Sequence, residues 1–318
     1  MSSQSHLSET RKTINVKKIT VKKYEEIDWI TLWQNGRMEK SWTSKGSKDW
    51  DKKASSFCSR VSQSPYIPLF LSRLPLDKNF TVLDIGCGPG TLALPLANHV
   101  ASVTALDYSE KMLELLNSRA QEEKISNIES ILCAWEDDWQ KKGVQPADIA
   151  LASRSMNVDD LSMAIDKLAA YGKKYIFITD RIAPSPFDPD AFAAIGREFN
   201  SGPDYIFTLN LLYSKNIHAN VEVLELEQNA YFGSLEEAVQ SYAWMFKNIS
   251  AEETDKLEQF VASRAAAAHD GGVTIHRRYP PRWAMIWWQN KETPSEGEVL
   301  RGTTDLESKP LNIRGQLL

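Results

Sequence analysis

The segment Val82–Ala97, with the sequence VLDIGCGPGTLALPLA, constrains the fold of this 318-residue chain more than any other stretch. Its first four residues are apolar except for Asp84 and predict a buried strand. Three glycines follow at alternate positions, Gly86, Gly88 and Gly90, and good helix formers complete the segment. Glycine adopts positive φ easily and lets backbone approach a ligand closely. The segment therefore predicts a strand, a glycine loop and a helix whose first N–H groups suit an anion.

The spacing of the glycines separates two classes of ligand that use such a loop. The dinucleotide fingerprint needs glycine at its first, third and sixth positions. Counting from Gly86, the sixth position here is Thr91, and the third glycine falls at the fifth position, Gly90. Asp84, two residues before the first glycine, would repel a pyrophosphate and attract an ammonium group. The methionine end of S-adenosylmethionine (SAM), which carries an amine and a carboxylate, therefore fits the loop better than NAD.

The stretch resembles motif I of the class I SAM-dependent methyltransferases, with D-x-G-x-G-x-G at residues 84–90. The resemblance extends well over about residues 45–180 and is to the stand-alone bacterial and archaeal type that acts on small molecules. It implies an α/β fold with a Rossmann-like sheet of seven strands in the order 3-2-1-4-5-7-6, with the last strand antiparallel. It also implies helices on both faces, a helical insertion after strand 5, SAM as cofactor and methyl transfer by in-line displacement.

Composition changes and turn residues divide the chain into five predicted segments. Residues 1–45 are predicted to be an N-terminal arm and a tryptophan-rich helix, and 46–182 the SAM-binding core. Residues 183–219 are predicted to form a helical cap over the substrate. Residues 220–290 then complete the core sheet with further helices, and 291–318 form a polar tail.

Helix and strand boundaries follow from apolar periodicity and from capping residues. A helix is predicted within Tyr24–Met38, ended by Gly36. Further helices are predicted over Asp190–Phe199 and over Glu252–Ala268, the second stopped by a glycine pair. The apolar run Trp283–Trp288 predicts the antiparallel strand between strands 5 and 6.

Further candidate cofactor residues lie after the predicted strands. Asp107 ends the second strand, where an acid can accept both ribose hydroxyls, and Tyr108 beside it can lie flat on the adenine. In the resembling family, the loop after strand 3 places a small residue and an acid near the adenine. At those positions this chain has Ala134, Trp135 and Glu136, with Asp137 and Asp138 as alternatives for the acid.

The run WDKKASSFCSRV resembles a helix, W/Y-D-x-x-A-x-x-[YF], that often precedes motif I in this family. There it covers the methionine end of the cofactor, so Trp50 and Phe57 are the candidates for that cover. The complete predicted cofactor set is Trp50, Asp84, Gly86, Cys87, Gly88, Gly90, Thr91, Asp107, Tyr108, Met112, Ala134, Trp135, Glu136 and Ser153.

The residues after strand 4 stand where the resembling family carries out catalysis. They include neither the [DN]-P-P-[YFW] sequence of amino-methylating enzymes nor the Pro-Cys nucleophile of cytosine-C5 enzymes. Arg154 there either binds a substrate carboxylate or phosphate or pairs with Asp159. No general base is identified, so the catalytic residues and the accepting atom stay open. The predicted substrate-binding set is Arg154, Ser155, Arg181, Tyr205 and Tyr213.

Charge and composition narrow the set of partners. A net charge of −5 and a pI near 5.7 argue against phosphate-backbone binding as the main activity. The chain has no apolar run of about 18 residues and no apolar N-terminal stretch, so we expect a cytoplasmic protein with no membrane partner. No pair of histidines has metal-ligand spacing, so no metal is predicted. The tryptophans before residue 51 pack either on the core or on a second subunit, which leaves a homodimer open.

We therefore expect a SAM-dependent methyltransferase whose substrate is a small molecule. Two alternatives stay open. The first is the same chemistry on RNA or protein, for which the basic residues of the N-terminal arm would serve. The second is a SAM-binding scaffold without turnover.

Overall fold

The computed structural model describes residues 23–41, 46–61 and 64–290. The predicted arm up to residue 22, Trp42 and the predicted polar tail, 291–318, lie outside these described residues. Within the described ranges, none of the helices has both the length and the hydropathy that a membrane span requires.

The strands and helices of the described residues alternate along most of the chain. The strands are β1 Thr81–Ile85, β2 Ser102–Asp107, β3 Ile128–Leu132, β4 Ala147–Ser153, β5 Gly172–Arg181, β6 Asn220–Glu225, β7 Asn229–Phe232, β8 Ala265–Ala267, β9 Val273–His276 and β10 Arg282–Gln289. The helices are α1 Trp29–Glu39, α2 Ser47–Val61, α3 Tyr66–Leu71, α4 Ala93–Ala97, α5 Glu110–Glu122, α6 Leu161–Tyr171, α7 Pro189–Ala194, α8 Tyr205–Ser214, α9 Leu235–Ala243 and α10 Ala251–Ser263.

A seven-stranded sheet in the order β3-β2-β1-β4-β5-β10-β6 forms the centre of the fold. The neighbours from β3 to β5 pair in parallel, whereas β10 is antiparallel to both β5 and β6. Since β10 is the seventh strand of the sheet in chain order, the predicted fold class and strand order are confirmed.

The central strands are apolar along their length because helices cover both faces of the sheet. One apolar core lies on the side of α1, α6 and α8 and includes Trp33 and Leu212. The other lies on the side of α3, α4 and α5 and includes Phe70 and Leu116. Because β1, β2, β4 and β5 are parallel, their carboxyl ends share one edge of the sheet, where open α/β sheets bind their ligands.

Three predicted helix boundaries are wrong, and tertiary contacts account for each difference. α1 continues through Gly36, whose missing Cβ would lie 3.1 Å from the Pro203 ring, so this glycine serves close packing. α7 stops at Ala194. Phe199 lies beyond the helix, and its ring packs against that of Phe192, with 4.8 Å between centroids. α10 stops at Ser263 because the alanines after it pair with β9 as strand β8.

A small unit with its own apolar core lies at the carboxyl edge. We call residues 187–199 and 229–276 the cap unit; it contains α7, α9, α10 and the sheet β7-β9-β8. Its core is formed by Phe187, Ala191, Phe192, Ile195, Ala238, Tyr242, Met245, Phe246, Leu257, Val261 and Ile275. The chain enters it from the ends of β5 and β6 and leaves it at the start of the antiparallel β10, all at the carboxyl edge. The segment predicted as one substrate cap thus divides: α7 joins the cap unit, and α8 packs on the main sheet.

Candidate functional site

The glycine loop joins β1 to α4 and has three residues in the left-handed region. The φ angles are +74° at Gly86, +55° at Gly88 and +79° at Gly90. A Cβ on Gly86 would lie 2.4 Å from the Cβ of Ser155, whereas one on Gly88 would meet nothing closer than the Phe57 ring at 3.7 Å. Gly86 is therefore required for close packing against the segment after β4, whereas Gly88 faces the Phe57 ring of α2 at an ordinary contact distance.

Asp84 precedes this loop in a buried position, with only 2% of its surface exposed. Its Oδ2 has no hydrogen-bond partner among the described residues. Burial, reinforced by the nearby Asp107 carboxylate, raises the pKa of Asp84 to about 7. A buried carboxylate oxygen without a donor is costly, so this atom suits a cationic or hydrogen-bonding ligand.

Asp107, at the end of β2, lies directly beside the glycine loop. One of its carboxylate oxygens accepts the N–H of Gly88 at 2.8 Å, and the other accepts the N–H of Ser109 at 2.9 Å. Burial raises the pKa of Asp107, and these backbone donors oppose the shift. Each carboxylate oxygen has a further lone pair, so Asp107 can also accept a pair of hydroxyl groups.

Helix α2 is attached to the same region by two of its side chains. Phe57 faces Gly88, and the Trp50 ring meets the Phe57 ring edge-on with 5.3 Å between centroids. Asp51 accepts the hydroxyl of Ser109, the capping residue of α5, at 2.6 Å. Sequence reasoning missed Asp51, although its place in the W-D pair was the available signal.

Of the three acidic residues in the loop after β3, two have hydrogen-bond or ion-pair partners among the described residues. Asp137 accepts the N–H of Ala134 at 2.9 Å, and Asp138 pairs with Lys141 at 3.0 Å. Glu136 is exposed and forms no hydrogen bond or ion pair with the other described residues. The indole N–H of Trp135 donates to the Ser155 carbonyl at 3.2 Å, which ties this loop to the segment after β4. Glu136 is thus the carboxylate available to a ligand.

The remaining cofactor candidates differ in exposure. Cys87, Thr91 and Met112 are buried, and Tyr108 is exposed. Burial, with the neighbouring Asp84 and Asp107 carboxylates, raises the pKa of the Cys87 thiol well above its usual value. The cysteine therefore fills space within the loop and stays protonated at neutral pH.

A cluster of hydroxyls lies where β4 and β5 end. The Tyr66 hydroxyl, from α3, lies 2.7 Å from both the Ser153 and Thr179 hydroxyls. Tyr66 is fully buried, and burial raises its pKa, so it remains a neutral hydrogen-bonding group. Sequence reasoning missed Tyr66 and Thr179, because only the tertiary fold brings them to Ser153.

Arg154 follows this cluster with a left-handed backbone, φ +58°. Its guanidinium carbon lies 4.2 Å from the centre of the Tyr66 ring and 5.5 Å from that of Trp283. The alternative in which Arg154 pairs with Asp159 is wrong, because Asp159 forms its ion pair with Arg37.

The other substrate candidates lie in different surroundings. The Ser155 hydroxyl donates to the Ile85 carbonyl at 2.6 Å, and the Arg181 guanidinium donates to the Pro203 carbonyl. Tyr205 begins α8 and packs against the main core. Tyr213 is near the other end of α8, which runs from the end of β5 towards the start of β6, and its ring packs against Tyr24. The structure thus keeps Ser155 at the loop and does not bring Tyr213 to it.

The segment that builds this loop matches the protein family described as "Methyltransferase domain" over residues 82–174. The match coincides with the glycine loop after β1 in a sheet of the methyltransferase strand order. The chain carries a methyltransferase domain.

Proteins similar in sequence to this methyltransferase include an uncharacterized protein and methyltransferases named for different acceptors. An uncharacterized protein of Haemophilus influenzae is 37% identical over 242 residues, which are 75% of this chain and 88% of that protein. A ubiquinone biosynthesis O-methyltransferase of Acinetobacter baylyi is 30% identical over 121 residues, 37% of this chain and 50% of that protein. A probable ribosomal RNA small subunit methyltransferase A of Methanosphaera stadtmanae is 35% identical over 63 residues, 20% of this chain and 23% of that protein.

The residues at the loop of the methyltransferase fit the chemistry of SAM. The unpartnered Oδ2 of Asp84 suits an ammonium group, and Asp107 suits a pair of ribose hydroxyls. In the part of the chain that the structure describes, no three His, Cys, Asp or Glu side chains are grouped so that they could hold a metal ion.

Proposed function

We propose that this methyltransferase binds SAM at the glycine loop and transfers its methyl group to a small-molecule acceptor at the carboxyl ends of β4 and β5. The observation that carries the proposal is the buried Asp84 Oδ2, which lacks a donor beside three glycines of positive φ. An ammonium group supplies the missing donor and the positive charge that a buried carboxylate needs.

Within this proposal, the residues of the chain bind and orient the cofactor and the acceptor. The bound cofactor supplies an activated methyl group on a sulfonium sulfur. Asp84 binds the amine, Asp107 accepts from the ribose hydroxyls, and Glu136 accepts from the adenine amine. Trp50 and Phe57 on α2 exclude water from the methionine end. Alignment of the acceptor with the methyl group is the main catalytic contribution, and orientation of this kind is worth about 7–11 kcal/mol.

Two features support a small-molecule acceptor. The net charge of −5 disfavours a polyanionic partner such as RNA. The cap unit stands at the carboxyl edge, beside the ends of β5 and β6, where an inserted unit shapes a pocket for a small ligand. The name of the Acinetobacter baylyi relative, a ubiquinone biosynthesis O-methyltransferase, is compatible with such an acceptor. Cytoplasmic location and a homodimer stay predictions.

We expect S-adenosylhomocysteine to bind with release of protons at neutral pH. Burial raises the pKa of Asp84 to about 7, so its carboxyl is partly protonated at pH 7. A bound ammonium group favours the carboxylate and lowers that pKa. Binding at pH 7 should therefore release a fraction of a proton, and the affinity should fall as the pH drops below 7. Calorimetry in buffers of different ionisation enthalpy measures the proton count.

The control for this titration is Asp84→Asn, which cannot ionise. This variant should bind S-adenosylhomocysteine more weakly than the wild type and release a smaller number of protons. Absence of any heat of binding in the wild type would contradict cofactor binding itself. Binding without proton release at pH 7 would contradict only the role of Asp84.

The size of the acceptor can be tested with methyl-labelled SAM and a cell extract. We expect the label to appear in the low-molecular-weight filtrate and to persist there after nuclease and protease treatment. Label retained with RNA or protein would show that the acceptor is a macromolecule and not a small molecule. Label in no fraction, from a protein that binds S-adenosylhomocysteine, would support the non-catalytic scaffold.

A further inference from the structure

We infer that the methyl acceptor carries a carboxylate or phosphate group, and that Arg154 binds this group. The inference rests on the proposed function, because it names the chemistry of the acceptor at the same site. Three observations at the ends of β4 and β5 carry it.

The first observation is the state of the Arg154 guanidinium. Among the described residues its neighbours are the rings of Tyr66 and Trp283, and the Asp84 carboxylate acts on it electrostatically, but its N–H groups form no hydrogen bond or ion pair. Burial lowers the pKa of Arg154 from its ordinary value. Arg154 is half-buried, and the planar guanidinium matches a carboxylate or phosphate with two parallel hydrogen bonds. An oxyanion is therefore the ligand that this side chain lacks.

The second observation is the backbone of Arg154. Its φ of +58° is a conformation that costs a non-glycine residue about 1–2 kcal/mol. The N–H of Arg154 donates to the Thr179 carbonyl at 2.9 Å and lies 3.1 Å from the Thr179 hydroxyl, so β5 holds the residue in this geometry. Backbone strain that the surroundings maintain is characteristic of ligand-binding positions.

The third observation is the direction of the side chain. Arg154 extends over Tyr66, which is bonded to β4 and β5, and towards Trp283 on β10. The next residue, Ser155, points the other way and packs against Gly86 of the glycine loop. The guanidinium thus lies over the ends of β4, β5 and β10 and also acts on the Asp84 carboxylate, so titration with and without S-adenosylhomocysteine distinguishes the acceptor from the SAM carboxylate as its ligand.

The test uses benzoate and phenyl phosphate as anionic probes and benzyl alcohol as the neutral probe, because their rings give signals in saturation-transfer NMR. Each is titrated into the full-length protein with and without S-adenosylhomocysteine. We expect at least one anionic probe to bind at least about 10-fold more tightly than benzyl alcohol, which corresponds to 1.4 kcal/mol. The variant Arg154→Gln should lose that difference.

The matched control is Arg282→Gln, which removes the same charge from the residue next to Trp283. Neighbouring residues in a strand point to opposite faces, and Arg282 faces Glu225, with 3.9 Å between the charged atoms. This control should bind the probes as the wild type does. A second variant, Arg154→Gly, relieves the left-handed strain and should lose the anionic probes without a lower melting temperature, so a loss of binding cannot be attributed to unfolding.

Each outcome separates the inference from the proposed function. Failure of the anionic probes to bind, or equal binding by Arg154→Gln, would overturn the inference. A loss of S-adenosylhomocysteine affinity of 10-fold or more in Arg154→Gln would assign the guanidinium to the cofactor carboxylate and would also overturn it. If the wild type fails to bind S-adenosylhomocysteine, the proposed function fails, while the titration without it still reports on Arg154.

Discussion

Replacing Asp107 with alanine is expected to weaken binding of S-adenosylhomocysteine by about 100-fold or more. A hydrogen bond to a charged group contributes about 1.5–3 kcal/mol, and the proposed pose gives Asp107 two of them from the ribose. The carboxylate also accepts the N–H groups of Gly88 and Ser109, so its removal loosens the glycine loop as well. Isothermal titration calorimetry measures the effect directly.

Two further variants make the Asp107 result specific. Asp107→Asn keeps the shape and one acceptor, so its affinity should lie between those of the wild type and the alanine variant. Asp148→Asn removes a charge at the opposite edge of the sheet, where Asp148 accepts the N–H of Thr81 at 2.9 Å. This control should leave the affinity unchanged even if stability falls. Unaltered affinity in Asp107→Ala would contradict the assignment of the ribose to the end of β2.

Replacing Gly86 with alanine is expected to destabilise the fold by about 2–5 kcal/mol, a fall in melting temperature of about 5 °C or more. The new Cβ would lie 2.4 Å from the Cβ of Ser155, and the φ of +74° adds left-handed strain. Neither atom is at the end of a flexible side chain, so backbone must move. Thermal and denaturant unfolding measure the loss.

The control for Gly86 is Gly143→Ala, which has a similar φ of +82° but no heavy atom within 4 Å of its missing Cβ. This control should be destabilised only by the backbone strain of alanine at positive φ, about 1–2 kcal/mol. The double variant Gly86→Ala with Ser155→Gly removes the clashing atom and should recover part of the stability. Equal losses at Gly86 and Gly143 would show that the contact with Ser155 does not limit this position.

The glycine loop was predictable because its requirements are local. Three glycines at alternate positions after an apolar strand specify a tight turn of positive φ, and all three have that conformation. Ser109 similarly begins α5 as a capping residue and accepts the N–H of Met112. Such signals depend on backbone sterics and on hydrogen bonds within a few residues, which the order of amino acids alone specifies.

The hydroxyl cluster was not predictable because its partners are far apart in the chain. Tyr66 is separated by 87 residues from Ser153 and by 113 from Thr179, and no local pattern connects them. The position of Arg154 after β4 was also predictable from the sequence, but its contacts were not. Its guanidinium packs on the Tyr66 ring and does not pair with Asp159, because α1 places Arg37 next to Asp159.

The amino-acid sequence by itself determined the strand order, the glycine loop and the acid at the end of β2, because each follows from hydrophobic period, turn chemistry and family resemblance. Only the tertiary structure decided the cap unit, the end of α10 at Ser263 and the separation of Tyr213 from the loop. The alanines after Ser263 are good helix formers, yet they form β8 because pairing with β9 satisfies their backbone groups. Pairing and packing between distant segments outweighed local propensity at that position.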